Sequence, residues 1–193
     1  MLVPDDPEID GLLALELYTH ARAVARLDGA GDLVLLRDQD RSRWDLAMIG
    51  RANALVRAAV QRGRPGPFQL QALIASQHAN AATPEATDWS LVADLYARLV
   101  EMTPSPVVAV NRAVAVAEAD GAHAGIAALE DITGLDGYHL MHAVRGELLA
   151  RTGDPAGARL CLLRARDLAP NPAERRHLER RLAALGLETG QPG

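Results

Sequence analysis

The chain has 193 residues, ample for one domain and thin for two, and a formal net charge of −5. Apolar residues make up 49% of it but aromatics only 3%, while 36 Ala and 29 Leu dominate the composition. Ala and Leu favour helices and the β-branched and aromatic strand formers are scarce, so an all-β fold is excluded.

Start and stop signals divide the chain into about nine helical segments. Asp6-Pro7-Glu8 opens a helix expected to run to about Asp28, before Gly29, and the stretch Gly31 to Leu36 reads as an extended connector. A second helix is predicted from about Arg41 to Arg62, stopped by Gly63-Arg64-Pro65-Gly66-Pro67, and a third from about Pro67 to Asn80. The fourth opens near Thr83-Pro84-Glu85 and ends before Pro104. The fifth has Ser105 as cap and ends near Gly121, and a short sixth covers Ala122 to Ile132. The last three are predicted over about 136–152, 154–168 and 171–186, the final one capped by Asn171.

The segment His139 to Pro170 fits the 34-residue tetratricopeptide pattern. Gly146 and Leu149 lie on its first helix, Gly153 at the turn, Ala158, Leu162 and Ala165 on its second helix, and Pro170 after it. Small residues at 146, 158 and 165 let two backbones approach, Leu149 and Leu162 fill the seam, and Pro170 ends the hairpin. A weaker copy one period upstream uses Ala113, Val116, Gly125 and Leu129. The expected architecture is all-α: a tetratricopeptide-like helical-hairpin solenoid of about four hairpins in one domain over 1–193. Its cap helix carries the stripe Leu178, Leu182 and Leu185.

No apolar run approaches the roughly 20 residues of a spanning helix, and Met1-Leu2-Val3-Pro4-Asp5-Asp6 lacks the basic start of a signal peptide. Cys161 is the only cysteine, which excludes an intrachain disulfide and a cysteine-based zinc site. These features lead to the expectation of a soluble cytoplasmic protein. All 20 basic residues are Arg, outnumbered by 25 acids, and few aromatics are present to stack on bases, so direct DNA binding is not expected.

Tests for chemistry give little. His139 and His142, with Glu147 one turn on, have no zinc-helix spacing and read as structural histidines, so no metal or cofactor is expected. No nucleophile elbow, phosphate loop or dinucleotide fingerprint occurs, and the chain is expected not to be an enzyme. Arg175, Arg176, Arg180 and Arg181 crowd the last helix. They read as a solvated outer face with Glu174 and Glu179 as partners, against the alternative of a nucleic-acid or polymerase contact.

The densest non-periodic signal is Leu36-Arg37-Asp38-Gln39-Asp40-Arg41-Ser42-Arg43-Trp44-Asp45. Asp40 is placed to cap a helix, with Arg41 and Arg43 reaching back to Asp38 or Asp45. Two readings stand: a local network anchoring the connector, or a docking point in which Asp38, Gln39, Asp40, Arg41, Arg43, Trp44 and Asp45 meet a partner, with Trp44 as anchor.

This run resembles the L-x-D-Q-D-R-S-x-W-D signature of a bacterial sigma-factor family. Gly66-Pro67-Phe68-Gln69-Leu70-Gln71-Ala72, Thr87-Asp88-Trp89, Ser105 to Ala115, Tyr138-His139 and His142-Ala143 match in order. Phe68 stands where the family more often has Tyr. Together these blocks resemble the C-terminal tetratricopeptide-like extension of extracytoplasmic-function sigma factors, from Pro4 to about Leu185. The resemblance implies a role in transcription initiation for a parent protein. Its implied partners are the promoter-binding sigma domains (sigma regions 2 and 4, absent from this chain), the RNA polymerase core or a regulator. The alternative is a free-standing tetratricopeptide-like adaptor for a peptide or protein.

One expectation concerns the start of the chain. Leu2-Val3-Pro4 reads as the tail of a preceding helix, and Ile9, Leu12, Leu13, Leu15 and Leu17 spread over more than one face of the first helix. An exposed apolar strip follows, relieved by self-association as a homodimer through that helix.

Overall fold

A computed structural model describes residues 6–188, so the Leu2-Val3-Pro4 segment lies outside the described residues. Among the described residues the fold is all-helical, with neighbouring helices packed in pairs as in a helical-hairpin solenoid. These residues fall into two compact units, the first within Met1–Asp28 and Val34–Pro104, the second within Gly29–Leu33 and Ser105–Gly193.

The first unit contains α1 (Pro7–Ala21), α2 (Leu46–Gln61), α3 (Pro67–Asn80) and α4 (Trp89–Met102). Helix α1 packs on both α2 and α3, and α3 packs on α4. Its core joins Ala14, Tyr18 and Ala21 of α1 to Trp44, to Ile49, Ala52 and Val56 of α2, and to Ala72 of α3. Aspartates set three of the helix starts. Asp6, Asp45 and Asp88 each accept a hydrogen bond from a backbone N–H in the first turn of α1, α2 and α4.

Helix α1 is shorter than the sequence predicts, because the Ala21 carbonyl accepts from the Asp45 backbone N–H at 2.9 Å. The chain then makes a 3-10 turn, Ala23–Ala25, and leaves the helix axis. Helix α2 likewise opens at Leu46 rather than Arg41. Arg41–Arg43 form a separate 3-10 turn, and Trp44 is extended at φ −77° and ψ 144°. At the fourth helix Pro84–Ala86 is again a 3-10 turn, and Asp88 rather than Thr83 caps α4.

The second unit contains α5 (Pro106–Asp120), α6 (Ala122–Glu130), α7 (His139–Arg151), α8 (Pro155–Leu168) and α9 (Pro172–Glu188). Helices α5 and α6 form one hairpin, α7 and α8 the next, and α9 packs on α8. A Cβ at Gly146 would lie 2.8 Å from Leu162 Cγ and 3.1 Å from the Ala158 carbonyl, so only glycine admits this helix approach. Ala158, Leu162 and Ala165 are fully buried, and Leu149 packs against them half-buried. Gly153, at φ +83°, makes the turn between the two helices. Pro170 follows α8 in the short link to α9, whose Asn171 caps it by accepting from the Glu174 N–H. Leu178, Leu182 and Leu185 of α9 are buried on α8.

Two ion pairs mark the repeat. Arg151 pairs with Glu118 of α5 at 2.5 Å across 33 residues. Arg181 pairs with Glu147 of α7 at 2.7 Å across 34 residues. The first joins α5 to α7 and the second α7 to α9, each linking two helices one repeat apart.

Candidate functional site

The Leu36–Asp45 run folds as two 3-10 turns, Leu36–Asp38 and Arg41–Arg43, between α1 and α2. Asp40 caps the second by accepting from Ser42 N–H at 3.0 Å and from the Ser42 hydroxyl at 2.6 Å, which together with the nearby charge of Arg43 holds its carboxyl below the usual range. Gln39 is buried, and its amide donates to the Val34 carbonyl at 3.2 Å.

Arg41 reaches neither Asp38 nor Asp45, contrary to the sequence expectation. Its Nη1 donates to the carbonyls of His78 at 2.6 Å and Ala81 at 2.9 Å, closing the C-terminal end of α3. Its guanidinium also lies 4.6 Å from the Trp44 ring centroid, a cation–π contact. Trp44 is only 6% exposed and belongs to the core of the unit. The docking candidates therefore separate. Gln39 and Trp44 face inward and Arg41 is half-buried, whereas Asp38, Asp40, Arg43 and Asp45 form an exposed rim.

The structure adds a residue that the sequence reading passed over. His78, in the last turn of α3, meets Trp89 edge to face at 5.1 Å. Burial, then the positive charges of Arg22 and Arg41, pull its imidazole down to about 4. No periodicity or spacing marked it, because its neighbours come from the end of α1, the connector and α4.

Elsewhere the singled-out side chains have local partners. His139 Nε2 lies 3.1 Å from Glu174 of α9, and His142 Nε2 is 2.9 Å from the Asp136 carbonyl. Among the described residues no group of three or more His, Cys, Asp or Glu side chains is placed to hold a metal ion. Cys161 is half-buried, and burial pushes its thiol up. The arginines of α9 are paired differently from expectation. Arg176 and Arg180 both bind Asp32, Arg181 binds Glu147, and Arg175 donates to the Ala169 carbonyl. Glu174 is turned to His139 instead. On α1, Ile9, Leu12 and Leu13 are 55%, 40% and 45% exposed, while Leu15 and Leu17 pack half-buried against the core. No helix among the described residues is long and apolar enough to cross a membrane.

A model for a family of unknown function, DUF6596, matches residues 1–60. An uncharacterized protein of Rhizobium meliloti (strain 1021) is 45% identical over 188 residues, covering 97% of this chain and 44% of the relative. No solved structure matches. The chain thus spans less than half the length of a relative to which it is similar almost from end to end.

Proposed function

We propose that this chain is a non-catalytic regulatory and protein-interaction domain of an extracytoplasmic-function sigma factor, acting in transcription initiation through contacts with sigma domains, polymerase or a regulator. The observation that carries this reading is the Leu36–Asp45 signature: its apolar and stacking members build the core, yet it leaves Asp38, Asp40, Arg43 and Asp45 on one exposed segment. Packing accounts for Trp44 and Gln39. Capping accounts for Asp40 and Asp45, but neither packing nor capping calls for the exposed charges of Asp38 and Arg43 beside them. The matched relative is more than twice the length of the segment it shares with this chain, which leaves room for other domains in a parent protein.

Binding at an exposed charged rim gives specificity and rate more than bulk affinity, which suits a regulatory contact made and released in a cycle. Self-association through the Ile9, Leu12 and Leu13 face of α1 is a second part of the proposal. The direct experiment is capture of purified sigma promoter-binding domains and of polymerase core by the immobilised 193-residue chain. Retention that is lost in an Asp38→Ala/Arg43→Ala variant supports the reading. No retention of either partner, with selective binding of an unrelated peptide, favours a free-standing adaptor.

A further inference from the structure

A closed pair of carboxamides ties α1, α2 and α3 together. Asn53 of α2 and Asn80 at the end of α3 bind each other reciprocally. Asn53 Nδ2 donates to Asn80 Oδ1 at 2.8 Å, and Asn80 Nδ2 donates to Asn53 Oδ1 at 3.0 Å. One edge of this pair is anchored to the protein. The Tyr18 hydroxyl of α1 donates to Asn53 Oδ1 at 2.5 Å, and Asn80 Nδ2 donates to the Ser76 carbonyl at 2.8 Å. The anchors fix which end of each amide is nitrogen, because only an N–H satisfies the Ser76 carbonyl. Burial pushes the Tyr18 hydroxyl up to about 12, with Asn80 and Arg57 acting the other way, so it stays a donor at neutral pH.

The opposite edge is unused. A carboxamide has two N–H donors and two carbonyl lone pairs. Asn53 Oδ1 and Asn80 Nδ2 use both of theirs in the four bonds above, whereas Asn53 Nδ2 keeps one N–H and Asn80 Oδ1 one lone pair. These two atoms stand side by side, 2.8 Å apart, on a half-buried and an exposed residue. Arg57 follows Asn53 by one turn of α2, exposed and in no ion pair.

A donor beside an acceptor matches an extended residue, which turns its own N–H and C=O to the same side, as it does when it exchanges both bonds in an antiparallel pair. Such main-chain bonds are indifferent to sequence, and the groups alongside read the side chains. A nucleobase edge offers a similar pattern, but a chain of formal charge −5 repels the phosphates that come with it.

We propose that the free edge of the Asn53–Asn80 pair is a docking point for an extended acidic segment of a partner protein. One residue of that segment bonds both amides through its backbone, and an Asp or Glu beside it meets Arg57. Tyr18 and Ser76 are positioning groups that hold the pair with its free edge outward. No residue of the Leu36–Asp45 rim takes part, so the site stands or falls apart from the proposed role of that rim.

The test is NMR titration of the isotope-labelled 193-residue chain, following the side-chain amide signals of Asn53 and Asn80. The probe is the peptide acetyl-Ala-Ala-Glu-Ala-amide, and saturable shifts of both signals are expected at millimolar concentration. The same peptide N-methylated throughout keeps its charge but loses its main-chain donors, and should bind at least fivefold more weakly. Replacing its Glu by Gln should weaken binding at least threefold, as should Arg57→Gln in the protein. Asn80→Ala should keep its helical circular dichroism and lose at least fivefold in affinity. No shift of either signal, equal binding of the methylated peptide, or shifts produced by a single-stranded oligonucleotide and not by the peptide would overturn the assignment.

Discussion

Glu8, in the first turn of α1, caps α3 at Gln69, 61 residues further along the chain. One carboxylate oxygen accepts from the Gln69 backbone N–H at 3.0 Å and from its side-chain amide at 3.1 Å, and the other accepts from the Phe68 N–H at 2.9 Å. The first N–H groups of a helix lack internal partners, and a carboxylate there also meets the positive end of the helix dipole. Two glycines make room. A Cβ at Gly66 would collide with the Glu8 side chain, and one at Gly11 would stand 2.7 Å from the Gln69 nitrogen.

Glu8→Ala should therefore destabilise the first unit by about 1–2 kcal/mol, the range of a lost charged cap. Gly11→Ala should cost about 1–3 kcal/mol, because the clash is with backbone and not with a side chain that can turn away. Urea unfolding followed by circular dichroism checks both. A Gly11→Ala protein as stable as the parent would mean that α1 and α3 can separate freely.

The helix count and the hairpin pairing were legible because they rest on local signals. Proline after a capping residue opens α1, α8 and α9, whereas Ser105 before α5 makes no side-chain cap bond, and Gly146 with Ala158 and Ala165 announces the close crossing of α7 and α8. The site was legible only as a segment. Asp40 and Asp45 satisfy the same local capping rule, and the choice between them is made by Trp44, which must enter a core built from α1 and α2. Arg41 offered nearby acids, yet it bonds carbonyls of α3 almost forty residues away. Glu8 and Asp32 are the same case: short-range patterning cannot register a partner that only the fold delivers.

His78 makes the first unit acid-sensitive in a defined window. Its imidazole is near 6.5 when unfolded and about 4 when folded. As pH falls through the unfolded value the unfolded chain takes the proton first, so stability is full above about 6.5 and declines until about 4. The loss is bounded by the size of the shift, on the order of 3 kcal/mol. Asp32, Asp40 and Glu85 are held low by their partners, so their contributions are lost only at lower pH. Urea midpoints at pH values from about 7 to 4.5 should fall in the parent, and the slope should flatten in His78→Gln. A parallel decline in both proteins would assign the sensitivity to other groups.

Ile9, Leu12 and Leu13 follow i, i+3 and i+4 spacing, so their exposed side chains share one face of α1. A two-fold contact pairs a patch with its own copy, and an apolar face is complementary to itself. Sedimentation should show association that rises with concentration and disappears in Leu12→Glu. A clean monomer at high concentration would remove self-association from the proposal.

The Leu36–Asp45 segment offers a split between fold and function within ten residues. Trp44 is 6% exposed in the core of its unit, so Trp44→Ala should cost about 3 kcal/mol or more through the cavity it leaves. Arg41→Ala removes two hydrogen bonds to carbonyls and the stacking on Trp44, and should cost about 1–2 kcal/mol. Asp38 and Arg43 are exposed and belong to no ion pair, so Asp38→Ala/Arg43→Ala should stay within about 0.5 kcal/mol of the parent. The proposed function adds a second axis. Binding to sigma domains or polymerase should weaken severalfold in this stable double variant and respond steeply to salt, as a charged rim contact does. Melting curves and binding isotherms on the same four proteins separate the axes. Undiminished binding by the double variant would leave the segment as an internal brace between α1 and α3.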